Sequence, residues 1–178
     1  MTRHLILRVI AATSFSVVPA SLTFGIPTEP ISEIGQSFLQ KAAESQQAEV
    51  ALGQLAVQKA SNVQVKHYGA HMIQDHQKAS DEVGQLLTKE GTPLPSQLSM
   101  EHQQVHQNLS QLTGKDFDKA YISFMVRDHM KDLGQFEQGA QTLTDPQVKQ
   151  WTAATLPILK DHLEQANAIA AMIGVNAR

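Results

Sequence analysis

From Ser32 onward the apolar positions recur at helical spacing, and no stretch alternates with the period of a strand. Phe38, Ala42, Leu52 and Ala56 mark one face of a helix that opens at Ser32-Glu33 and runs to Ser61-Asn62. Val65, Met72, Ile73, Val83 and Leu87 mark a second, from Val63 to Glu90, which Gly91, Pro93 and Pro95 terminate. Residues 96–112, with Leu98, Val105, Leu109 and Leu112, predict a shorter connecting helix closed by Gly114. Two more long helices follow, over Asp116–Leu143 and Asp145–Ile173. Asp145-Pro146 reads as an N-cap with proline at the first helical position, and Pro157 predicts a kink. Helices of roughly 27 residues are about 40 Å long at 1.5 Å per residue. The pattern therefore predicts one all-α domain over residues 32–173, a four-helix bundle with an extra connecting helix, followed by a short tail at 174–178. The link through residues 91–114 can either cross the length of the bundle or fold back at one end. An outer-membrane barrel is excluded by the absence of alternation.

The N-terminal segment has a different character. Arg3 and Arg8 precede an apolar run from Val9 to Val18, and small residues surround Pro19-Ala20. This is a secretory leader pattern over residues 1–20, and its run of about ten residues is too short for the roughly twenty that span a membrane. Residues 21–31, with Pro27 and Pro30, read as a linker. Removing the leader takes two of the 14 Lys+Arg and leaves all 17 Asp+Glu, so the net charge moves from −3 to −5. An acidic exported domain, periplasmic or secreted and without a membrane-spanning segment after cleavage, is expected. Nucleic acid is not an expected partner, because its binding needs a dense basic patch.

The chain has no cysteine, which removes thiol nucleophiles, disulfide scaffolds and thiolate metal sites together. Any metal must sit on His, Asp, Glu or Met. Three long helices carry the same dipeptide near their middles: Asp75-His76, Asp128-His129 and Asp161-His162. Stepping about 100° per residue places His76 on the line of Val65, Met72 and Val83. The same step puts His129 with Ile122, Met125 and Phe136, and His162 with Ile158, Ala166 and Ile169. Glu49 shares its line with Phe38, Ala42 and Ala56. All four point inward, whereas His71 and Glu44 turn about 140° away and are expected in solvent. Counting from the turns at 1.5 Å per residue puts the four inward groups near mid-bundle.

A buried carboxylate and three imidazoles carry a desolvation cost of several kcal/mol unless they bond to one another or to a cation. Glu49, His76, His129 and His162 are therefore candidate ligands for one divalent metal, with Zn(II), Fe(II), Mn(II) and Cu(II) all acceptable to that set. Asp75, Asp128 and Asp161, about 100° from their histidines, are placed to orient the ligand rings. Met72 and Met125 read as core fillers, and Tyr121 and Trp151 as core or boundary aromatics. His102 and His106 read as solvated.

The segments Phe38 to Leu55 with Glu49, Lys66-His67-Tyr68-Gly69 leading to Asp75-His76, Phe117 to Tyr121 leading to His129, and Leu156-Pro157 leading to His162 resemble the bacterial family DUF 4142. The resemblance covers about residues 35–173. It implies a ferritin-like helical fold behind a signal peptide, with Glu49, Asp75, His76, His129 and His162 as the notable positions, and no activity. Ferritin-like di-iron centres use Glu-x-x-His on two helices. Here Ile73, Val126 and Leu159 occupy the third position before each histidine, so a mononuclear site, or a fold that keeps only part of an ancestral one, fits better. Three readings follow. The first is metal binding for metal handling or defence against oxidants. The second is a non-catalytic envelope protein with a metal-free His/Glu network. The third is a redox enzyme, which would need an open coordination position and a substrate path.

Overall fold

The computed structural model describes residues 29–176, so the expected leader, most of the expected linker and the last two residues of the tail lie outside the described residues. Five helices follow one another: α1 (Glu33–Lys59), α2 (Val63–Lys89), α3 (Met100–Ser110), α4 (Gly114–Thr142) and α5 (Pro146–Met172). Their starts have local causes. The Ser32 hydroxyl accepts the Gly35 N–H at 3.1 Å, and the Ser99 hydroxyl accepts that of His102 at 3.2 Å. Gly91 and Gly114 take φ of 68° and 62°, a backbone state that other residues resist, and they make the turns out of α2 and into α4. Gly114 thus opens the third long helix, where closure of the connecting helix was expected. α5 continues through Pro157, and the Ala153 carbonyl that proline leaves without a donor lies on an exposed face. No helix among the described residues is long and apolar enough to cross a membrane.

The ends of the helices reveal the topology. Asp118 near the start of α4 accepts the Ser61 and Asn62 N–H groups, both at 3.0 Å, in the α1–α2 turn. At the other end, Ile31 N–H donates to Glu90 at 3.1 Å, and Asp145 accepts from Ser32 N–H and hydroxyl, both at 2.7 Å. Asp145 stands at the N-cap of α5 with Pro146 in the first helical position, as expected, but its side chain bonds across to α1 and caps none of its own helix. α2 ends where α4 also ends, so residues 90–113 cross the full length of the bundle. α3 lies in that crossover against α1 and α4, while α1 pairs with α2 and α4 with α5. One long crossover is compatible with ferritin-like connectivity.

The α1–α2 pair is held close by two glycines. A Cβ on Gly69 would meet the Ala56 Cβ at 2.6 Å and the Gly53 carbonyl at 3.0 Å, and one on Gly53 would meet the Gly69 carbonyl at 2.8 Å. Gly69→Ala should therefore destabilise the protein by about 1–3 kcal/mol through overpacking, although alanine is the better helix former. Urea denaturation of the two proteins checks the sign.

The core divides in two. Tyr68, Met72, Phe117, Tyr121, Ile122 and Met125 belong to the cluster at the α1–α2 turn. Leu39, Val83, Leu87, Phe136, Trp151 and Leu159 belong to the cluster at the opposite end. Between them lies a layer of buried polar side chains, among them Gln46, Glu49, His76, Asp128, His129 and His162.

Candidate metal centre

Three imidazoles meet in that layer, one each from α2, α4 and α5. One ligand atom from each of His76, His129 and His162 lies within 4.8 Å of the others, and all three rings are buried. Ring centroids are 5.7 Å apart for His76 and His129, 5.1 Å for His76 and His162, and 5.5 Å for His129 and His162. Each ring has one nitrogen occupied from outside the triad. His129 Nδ1–H donates to the Met125 carbonyl at 3.0 Å, which can only accept. His162 Nε2–H donates to the Asp75 carboxylate at 3.0 Å. His76 Nδ1–H donates to Gln46 Oε1 at 2.7 Å.

The other nitrogens, His76 Nε2, His129 Nε2 and His162 Nδ1, are buried and have no hydrogen-bond partner. With the N–H of each ring turned outward, these three carry lone pairs. Reversing the Gln46 amide would make His76 Nε2 a donor and satisfy one of the other two rings, yet one lone pair would still be left over. Burial lowers the pKa of all three rings, that of His76 well below its ordinary value and that of His129 to about 4. They are neutral at pH 7, the form in which imidazole binds metal.

Glu49 lies in the same layer but outside the group of three. Neither of its oxygens has a hydrogen-bond partner, and burial, followed by the charge of Asp128 beside it, raises its pKa well above the usual range. The residue on α1 that does reach the triad is Gln46, one turn earlier on the same face. Asp75 orients His162 on the neighbouring helix and not its sequence neighbour His76. Asp128 holds no triad ring. It lies beside Glu49 and, at 3.8 Å, faces His102 Nε2. Asp161 is exposed and accepts from Gln165 at 2.6 Å, so it has no direct contact with a triad ring.

Two groups expected in solvent are not there. His102 is buried, with Nδ1 at 2.8 Å from Glu44, and Glu44 also accepts the Ser99 N–H at 2.7 Å. α3 covers this face of α1, which the periodicity of α1 alone does not reveal. Asp132, whose pKa burial and then the Asp128 charge raise to about 6, accepts from the Ser45 hydroxyl at 2.9 Å. Tyr121 stacks on Phe117 at 5.6 Å and Trp151 packs on Phe136 at 5.5 Å, both buried as expected.

The family described as Domain of unknown function (DUF4142) matches residues 26–169 of the chain. No curated protein matches it. Among solved structures, the fold is similar to a DUF305 fragment from Deinococcus radiodurans, with TM-score 0.70 and 13% identity over 82% of this chain and 98% of that one. It is also similar to a DUF305 protein from Streptomyces coelicolor described as a candidate secreted protein, with TM-score 0.70 and 13% identity over 81% of this chain and 95% of that one. At that identity the likeness is one of fold.

Proposed function

The chain belongs to the DUF4142 family, whose description assigns no activity, and we propose that it is a metal-handling bundle that holds one first-row transition-metal ion on His76 Nε2, His129 Nε2 and His162 Nδ1. The observation that carries this reading is three buried ring nitrogens without a hydrogen-bond partner, on three imidazoles that each bring a ligand atom within 4.8 Å of the others. Neutral imidazoles suit Zn(II), Cu(II) and Fe(II) better than hard cations. The Gln46, Asp75 and Met125 contacts fix each ring as the outer partners of ligand histidines do. Asp128 places a carboxylate in the same layer, where it offsets part of the charge of the ion, while burial holds Glu49 in its neutral form. The leader pattern at residues 1–20, with the candidate secreted neighbour, supports work in the cell envelope, in metal supply or defence against oxidants.

Protein purified without an affinity tag, stripped of metal and titrated with Zn(II), Cu(II), Fe(II) and Mn(II), should bind one equivalent of at least one of them. An ion held only by the folded state adds about 4 kcal/mol of stability at a thousandfold excess over Kd, on the order of 10 °C in Tm for a domain of this size. Uptake below about a tenth of an equivalent, with no shift in Tm for any of the four, would leave the metal-free network as the better reading.

A further inference from the structure

We propose that His71, Asp75 and the Nε2 edge of His162 form a second, outer cation site through which a metal ion reaches the buried triad, an inference that rests on the triad being a metal site. The unpartnered nitrogens of the triad are sealed from solvent, so an ion needs a way in. Of the three outer contacts, Gln46 is buried and the Met125 carbonyl belongs to α4 itself. Only Asp75, with 27% of its side chain exposed, connects a triad ring to solvent.

Ligand types line that route. His67, His71 and Asp75 succeed one another at four-residue intervals along one face of α2. Exposure falls along the series: His67 is exposed, the His71 side chain is 37% exposed, and His162 is fully buried. A groove of about 440 Å³ lined by Gln64, His67, Tyr68, His71 and Gln165 opens onto the first two. One ligand atom from each of His71, Asp75 and His162 lies within 4.8 Å of the others.

The hydrogen bonds show where a cation fits. Gln165 donates its amide N–H to Asp161 at 2.6 Å, which turns its oxygen toward His71 Nδ1 at 3.3 Å. His71 Nδ1 is therefore an N–H, and Nε2 faces Asp75 Oδ2 at 3.0 Å. The Nε2 lone pair and the Asp75 carboxylate oxygen face each other across that distance, an arrangement that a metal ion bridges. The same Asp75 oxygen lies 3.0 Å from His162 Nε2. His162 thus belongs to both groups: an ion taken up on its Nε2 displaces the proton held there to Nδ1, and the proton returns to Nε2 when the ion passes inward.

Rapid mixing of the metal-free protein with Co(II), followed by the visible absorption of nitrogen-coordinated Co(II), tests the route. His71→Ala, at a half-exposed position that tolerates truncation, should reach the wild-type final signal and retain one Co(II) after a chelator wash, but at least tenfold more slowly at substoichiometric Co(II). His76→Ala should lose the retained ion and keep a weak Co(II) signal that the His71→Ala/His76→Ala double variant lacks. Loading of His71→Ala at the wild-type rate overturns the outer site and leaves the triad reading standing. No Co(II) signal in the wild-type protein overturns both.

Discussion

Replacing His129 with leucine is expected to leave the metal-free protein at least as stable as the parent while removing most of the stabilisation that metal confers. In the absence of metal, His129 Nε2 is a buried acceptor without a donor, a state that costs about 1–3 kcal/mol. Leucine removes the unmet group and keeps an apolar side chain of similar bulk between Met125 and Phe136. The Met125 carbonyl loses the ring N–H but keeps the backbone N–H of residue 129 four positions on. Replacing a buried polar group by a packed apolar one is often neutral or stabilising. With metal present the sign reverses. Loss of one ligand of three should raise Kd by at least about a hundredfold, which removes about 2.7 kcal/mol of linked stability. Urea denaturation with and without excess metal measures both arms. A loss of 3 kcal/mol or more in the metal-free variant would mean that the imidazoles bond to one another, and the metal reading would fall with it.

The helices and the inward direction of the three histidines were legible because both depend on period alone. Helix ends differ from expectation by one or two residues where a glycine sets them, as at Gly114. Which neighbour holds each ring was not legible. Gln46 and Glu49 are three residues apart, on one face of α1, and differ in depth by about 4.5 Å. Which of them meets His76 depends on the offset between α1 and α2, and that offset follows from the Gly53–Gly69 contact. A shift of one turn would exchange the amide for the carboxylate. Position on a single helix likewise could not show that α3 shields Glu44 and His102, since that face becomes interior only when the crossover lies on it. Asp75 turns toward a neighbouring helix, where its partner is His162 on α5, 87 residues away in sequence.

His102 should make the protein lose between about 1 and 3 kcal/mol of stability as pH rises from 6.5 to 9. Burial works against its charge, but the nearby Asp128 and Glu44 carboxylates outweigh burial and lift its pKa from 6.5 to about 9. The folded chain therefore holds this proton more tightly than the unfolded one. Below pH 6.5 both states are protonated and the stabilisation is complete. Above it the unfolded chain releases the proton while the folded chain keeps it, and stability falls by about 1.4 kcal/mol per pH unit until the folded group titrates as well. The full interval corresponds to about 3 kcal/mol, and the lower figure allows for screening at the partly open Glu44 edge. Once His102 is neutral, Glu44 and Asp128 are two carboxylates without the cation between them. The Lys131–Glu101 pair at 3.0 Å is too exposed to replace it. The loss should thus appear first in α3, as faster amide hydrogen exchange over residues 100–110 at pH 9 than the intrinsic pH effect accounts for. His102→Gln should flatten the stability curve across this range, because glutamine can donate to Glu44 without titrating. An equal slope in wild-type and variant would show that the crossover is held by other contacts and that His102 contributes no charge to it.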